Sequence, residues 1–178
     1  MLILRGDCYM KATLLVTFDP SHAGSAKKQI EDALKEIKKD AKFLKSEAEG
    51  IFELQTKDAR KLVQDIGKIA KKDIAKLDKT FNWIPIDTWA KATVKDMQKT
   101  IKTIQKDIKE KEKWAMDLGK RMTKLHDKDL IIKLTEPVDK PNVDLKKPEK
   151  IIKVEIIGNK AGISLLKPDE ILNLFKFK

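Results

Sequence analysis

Apolar positions follow two periods along this chain. Residues 12–18 (ATLLVTF), rich in apolar and β-branched positions, read as a buried strand. Asp19-Pro20-Ser21 breaks it, with Asp19 or Ser21 placed to cap the next helix. Across residues 22–39 the period becomes helical, because Ala26, Ile30, Ala33, Leu34 and Ile37 share one face. Two strands are predicted next, at 41–46 and 50–55, with Glu49-Gly50 as the turn. A helix over 57–69 buries Leu62, Val63, Ile66 and Ile69, and a strand at 79–84 completes β-α-β-β-α-β, the ferredoxin-like order. Pro85 holds its predecessor in extended geometry, so the stretch from Trp83 to Trp89 (WIPIDTW) reads as a join between two modules. Its two tryptophans could enter a core or stack on bases; beside Ile and Pro, packing is the preferred reading.

The pattern then turns strongly helical. Over 93–109, Val94, Met97, Ile101, Ile104 and Ile108 recur at steps of three or four. Lys95, Lys99, Lys102, Lys106 and Lys109 repeat at similar steps, displaced around the cylinder, with Asp96 and Asp107 on the opposite flank. Like charges stacked on a helix repel, whereas a merely soluble helix would mix signs. Such a row suits a phosphate backbone, whose neutralisation releases counterions. A solvated face in a lysine-rich protein is the plain alternative.

A Trp-led strand follows at 113–121, then a short helix over 129–136 carrying Leu130, Ile131, Ile132 and Leu134. Prolines forbid regular structure across 137–141. The β-branched run Ile151, Ile152, Val154, Ile156, Ile157 and the apolar return over 161–166 form a predicted hairpin, with Gly158-Asn159-Lys160 as its turn. Lys153 and Glu155 interrupt the first strand and suggest one wetter face. A terminal turn or helix opens at Lys167-Pro168, and Phe175 and Phe177 are expected in a last strand.

Composition changes the picture through charge. The formal net charge of +11 makes a polyanionic partner the first expectation and an acidic membrane surface the second. Of the 39 basic residues only Arg5, Arg60 and Arg121 are arginines, which favours diffuse backbone contacts over forked recognition of base edges. Lysine richness also arises in AT-rich genomes or hot habitats, so the position of each lysine has to carry the argument. Cys8 is the single cysteine, which excludes a disulfide framework and a thiolate metal cluster. No apolar run approaches the ~18 residues of a membrane span. The opening MLILRGDCY is poorly arranged for a secretory signal, and Met10-Lys11 is expected to mark the native start of a cytoplasmic protein.

In order, the second half carries the Trp114 strand ending in Lys120-Arg121, a short helical stretch, Val143-Asp144-Leu145 followed by Pro148, and the VEIIGNKAGIS hairpin. That order resembles the THUMP domain, an RNA-binding module of 4-thiouridine synthases, tRNA methyltransferases, archaeal pseudouridine synthases and stand-alone RNA-binding proteins. The resemblance covers roughly the second half of the chain. It implies an α+β protein, with an N-terminal ferredoxin-like domain over 1–86 followed by an α/β THUMP domain over 87–178. It also assigns the basic end of the Trp114 strand to the RNA-facing side. Lys113, Lys120, Arg121, Lys124 and His126 then join Lys95, Lys99, Lys102 and Lys106 as candidate RNA-binding residues. For Arg121 a local ion pair is the alternative, and for His126 a structural hydrogen bond.

Catalytic signatures are missing from the sequence. His22 and His126 stand in no metal-ligand spacing, and neither GxSxG, GxGxxG nor a P-loop occurs. His22-Ala23-Gly24-Ser25 could hold an anion at a helix start, although an ordinary helix start is the preferred reading. No cofactor or metal is expected. By resemblance, THUMP enzymes carry their chemistry in a separate catalytic domain. The expected partners are therefore tRNA, held by its acceptor stem and CCA end, and a separate modification enzyme. Stand-alone members resemble the adaptor that assists tRNA cytidine acetylation, which makes an RNA acetyltransferase the leading enzyme partner. A protein-interaction module and an RNA-modifying enzyme subunit without tRNA specificity of its own are the alternatives.

Overall fold

The computed structural model describes residues 11–177, so Arg5, Cys8 and the expected start at Met10 lie outside the described residues. Those residues fall into two compact units, one running to Ile84 and resuming at Leu172, the other spanning Pro85–Ile171.

In the first unit the elements run β1 (Leu14–Phe18), α1 (Ala23–Glu36), β2 (Lys42–Leu44), β3 (Ile51–Gln55), α2 (Ala59–Lys72) and β4 (Thr80–Pro85). This is the β-α-β-β-α-β order expected of a ferredoxin-like module, with neighbours β2-β3-β1-β4 in one sheet. Asp58 caps α2 by accepting from the Lys61 N–H at 3.1 Å, satisfying one of the donors a helix start leaves open. Leu14, Val16 and Leu54 of the sheet pack with Ile30 of α1 and Leu62 and Ile66 of α2. Each such fully buried side chain contributes about 1.5–3 kcal/mol relative to exposure. Trp83 enters this core completely, and its indole N–H donates to Thr80 Oγ1 at 3.0 Å. Trp83 thus packs in a core, as its Ile and Pro neighbours suggest.

The second unit contains β5 (Thr88–Lys91), α3 (Val94–Ile104), β6 (Trp114–Arg121), α4 (Asp127–Thr135), β7 (Lys150–Ile157) and β8 (Lys160–Leu166). Its sheet has the order β5-β8-β7-β6, with β6 parallel to β7 and the β7–β8 hairpin antiparallel. Parallel neighbours need a crossover connection, and α4 supplies it. One sheet face, through Ile152, Val154, Ile156 and Ile163, packs with Met97 and Ile101 of α3 and Leu130 and Leu134 of α4. Gly158 in the hairpin turn has φ +61°, a conformation that favours glycine.

Five expectations need correction. Thr88–Lys91 is an edge strand paired with β8, where the sequence suggested only a join. Ser164 anchors its approach: the Ser164 hydroxyl donates to the Pro85 carbonyl at 2.8 Å and accepts from the Asp87 N–H at 2.8 Å. Lys153 and Glu155, expected on a wet face, are 6% and 5% exposed; pairing with each other lets both charges leave water. The helix predicted over 93–109 ends at Ile104, after which Gln105–Asp107 forms a 3₁₀ turn and Ile108 is extended yet buried. Finally, the last residues were assigned to the second domain. Instead β9 (Leu172–Asn173) pairs with β4, and Leu172 and Leu174 enter the first core. Leu174–Phe177 is a 3₁₀ turn rather than a strand, with the Phe175 ring 5.0 Å from Phe81.

Candidate nucleic-acid interface

Parallel pairing places Arg121 beside Ile157 at the shared C-terminal ends of β6 and β7. The Gly158 N–H donates to the Arg121 carbonyl at 2.9 Å, so the hairpin turn folds against the end of β6. Asn159 in the same turn accepts from the Ala92 N–H at 2.9 Å, and Lys160 lies opposite Lys91 across β8 and β5. The end of β5, the start of α3, the hairpin turn and the end of β6 thus meet along one rim of the sheet.

Two helices begin at this rim. Thr93 caps α3: its Oγ1 accepts from the Asp96 N–H at 3.1 Å and donates to the Asp96 carboxylate at 2.7 Å. His126 occupies the cap position of α4 without a side-chain cap bond, and its side chain is exposed. Helix starts carry partial positive charge, which adds to the field of the cations around them. Those cations are Lys91, Lys95, Arg121, Lys124, Lys128 and Lys160, of which Lys91, Lys95, Lys124 and Lys128 are exposed. Lys160 also lies over the Trp89 ring, 4.7 Å from its centroid. The arrangement offers a run of cations and backbone donors suited to a polyanion.

The candidate residues divide by position. Lys95, Arg121, Lys124 and His126 belong to the rim. Lys120 belongs there too, but its ammonium donates to the Leu125 carbonyl, so it shapes the loop leading into α4. Lys99, Lys102 and Lys106 are exposed along α3 and the turn after it; at ~1.5 Å per residue, Lys106 stands roughly 16 Å further along the axis than Lys95.

Lys113 is not brought together with them. It precedes the opposite end of β6, eight strand steps or roughly 26 Å from Arg121. There its ammonium pairs with the Asp144 carboxylate at 3.5 Å. Asp144 is held below the usual carboxylate range chiefly by the Lys147 and Lys146 N–H groups, with Lys113 adding to it. Lys91, Lys128 and Lys160 escaped the sequence reading, Lys91 because its strand went unrecognised and Lys160 because its turn was read for backbone conformation alone. At His22, the suggested anion site, the imidazole instead faces the Asp19 carboxylate at 3.6 Å.

Among the described residues no group of three or more His, Cys, Asp and Glu side chains is arranged to hold a metal ion. Among the described residues no helix is long and apolar enough to cross a membrane.

A sheet with a parallel β-α-β crossover, closed by a hairpin and rimmed with cations, makes a small α/β module. Residues 91–166 match the family model of the THUMP domain, from the last residue of β5 to the last of β8. The chain therefore carries a THUMP domain, and the rim lies within it. Among solved structures it is similar to PH1313 from Pyrococcus horikoshii Ot3, at 16% identity and a TM-score of 0.60, covering 89% of this chain and 55% of that one. It is similar to TrmN from Thermus thermophilus at 12% identity and a TM-score of 0.54, covering 88% of this chain and 46% of that one. A 4-thiouridine synthetase solved as an RNA complex with bound ATP matches at 10% identity and a TM-score of 0.51, covering 92% of this chain and 42% of that one. At such identities the likeness is one of fold. The chain spans between 42% and 55% of the length of these three proteins. A comparison with curated proteins gives no match.

Proposed function

We propose that this chain is a non-catalytic tRNA-binding protein that presents tRNA to a separate modification enzyme. The observation that carries this reading is the cationic rim inside the THUMP match, where Lys91, Lys95, Arg121, Lys124, Lys128 and Lys160 gather around two helix starts. Lys99, Lys102 and Lys106, exposed along α3 and the turn after it, extend that surface. Lysine point charges recognise phosphate and shape, with little reading of base edges. The acceptor stem and CCA end are the parts of tRNA that the chain is proposed to hold, with the stem at this rim. The catalytic partner is proposed to be an RNA cytidine acetyltransferase acting in the cytoplasm, so that the covalent step belongs to another polypeptide.

The test is tRNA binding by the purified chain, followed by gel shift over a range of salt. Affinity is expected to fall steeply as salt rises, because each phosphate contact releases counterions. Arg121→Glu with Lys124→Glu is expected to weaken binding at least about tenfold, a loss of roughly 1.4 kcal/mol. Undiminished binding by that variant at physiological salt would refute this surface. Methyl or acetyl transfer by the chain without added protein would refute the non-catalytic reading.

A further inference from the structure

The first unit holds a feature that the THUMP rim does not use. A cleft of about 650 Å³ is lined by Phe18, Phe43, Phe52 and Gly50 of the sheet region, with Lys27 and Glu49 also on its wall. Sheet register explains the opening. The Phe18 N–H donates to the Gly50 carbonyl at 2.9 Å, so the residue opposite Phe18 has no side chain to cover the sheet. Gly50 also has φ +78°, which lets the chain turn directly into β3.

Aromatic rings take the space. Phe52 stacks on Phe18 with centroids 4.1 Å apart and planes 18° from parallel. Phe43 of β2 meets Phe52 edge-on at 5.4 Å and 87°. Phe18 is buried, whereas Phe43 and Phe52 keep part of their surface accessible. From α1, Lys27 reaches over Phe43 with its ammonium 5.0 Å from the ring centroid.

We propose that this cleft binds one unpaired nucleotide of a bound RNA, with its base against the Phe43–Phe52 wall and its phosphate at the Lys27 ammonium. The proposal rests on the RNA-binding reading given above. A volume of this order suits a small flat ligand. Bases of any sequence stack on aromatic side chains, and a cation beside the stack favours an anionic ligand over a neutral apolar one.

The experiment is fluorescence anisotropy with the full chain and two labelled hairpin RNAs, one blunt and one with a short unpaired 3′ tail. The wild type is expected to bind the tailed hairpin about tenfold more tightly. Lys27→Glu and Phe52→Leu are each expected to abolish that preference while leaving affinity for the blunt hairpin unchanged. Lys27 is exposed, so its variant tests the site even if Phe52→Leu fails to fold. Equal binding of both hairpins by the wild type, or a tail preference that survives Lys27→Glu, would overturn the cleft and leave the RNA-binding reading standing. Binding of neither hairpin by the wild type would overturn both.

Discussion

Lys153 Nζ stands 2.8 Å from Glu155 Oε1, two residues along the same strand and buried with it. Residues at i and i+2 share a sheet face, so β7 itself brings the two charges together. Parallel register puts Asp117 of β6 beside Lys153, where its carboxylate accepts from the ammonium at 3.0 Å. The same register puts Gly119 beside Glu155, and the missing side chain leaves the slot that the Glu155 carboxylate occupies. Burial pushes the Lys153 ammonium down from its ordinary value of 10.5, but the charges of Glu155 and Asp117 more than offset that and hold it above.

Removing one partner leaves the other charge buried without compensation. Lys153→Met is expected to destabilise the protein by about 3–5 kcal/mol, with most of that recovered when Glu155→Leu is added. Urea unfolding of the two single variants and the double variant closes the cycle. A coupling below about 0.5 kcal/mol would mean that the pair does not hold the sheet together.

The raised Lys153 value also sets a pH dependence. A group whose folded value lies above its unfolded value stabilises the protein fully below the unfolded value, and this contribution is lost as pH rises through the folded one. Here the window opens near 10.5 and extends upward. The stability gap between wild type and Lys153→Met is therefore expected to stay constant through neutral pH and shrink in strong alkali. Urea midpoints measured side by side at each pH give that gap, and one that persists unchanged would count against the pairing.

Gly119→Ala tests the slot from the other strand. A Cβ at this position would collide with the Glu155 carboxylate. Glu155 cannot swing aside without leaving Lys153, so the substitution is expected to cost about 1–3 kcal/mol. Combining it with Glu155→Ala should remove most of the strain, which unfolding experiments on the pair would reveal.

Long periodic segments are legible in the sequence: the stripe Met97–Ile101 in α3, the Ile152–Val154–Ile156 face of β7, and the β-α-β-β-α-β order ahead of them. What escaped depended on partners distant in sequence. Thr88–Lys91 carries no strand pattern of its own and becomes one because β8 offers it an edge. Lys153 and Glu155 look like solvent positions until Asp117 is seen beside them. Leu172 joins the first core through pairing with Trp83, a neighbour that no local pattern reveals. The rim was half legible: Arg121 and Lys124 follow a recognisable strand end, whereas Lys91 and Lys160 enter it only through strand pairing. Lys113 was grouped with Arg121 by sequence proximity, and the length of β6 separates them.

That separation makes a sharp comparison possible. If phosphate contacts lie along the rim, Lys91→Glu and Lys160→Glu should each weaken tRNA binding about as much as Lys95→Glu, since all three side chains belong to the same rim. Lys113→Glu, at the far end of β6 and already paired with Asp144, should change affinity by less than about twofold, or roughly 0.4 kcal/mol. Salt titration separates the cases further, because loss of a phosphate contact lowers the slope of log affinity against log salt by about one. Each rim variant should show that lower slope and Lys113→Glu should keep the wild-type value. A variant set in which Lys113 matters most and the rim lysines least would place the RNA at the other end of the sheet.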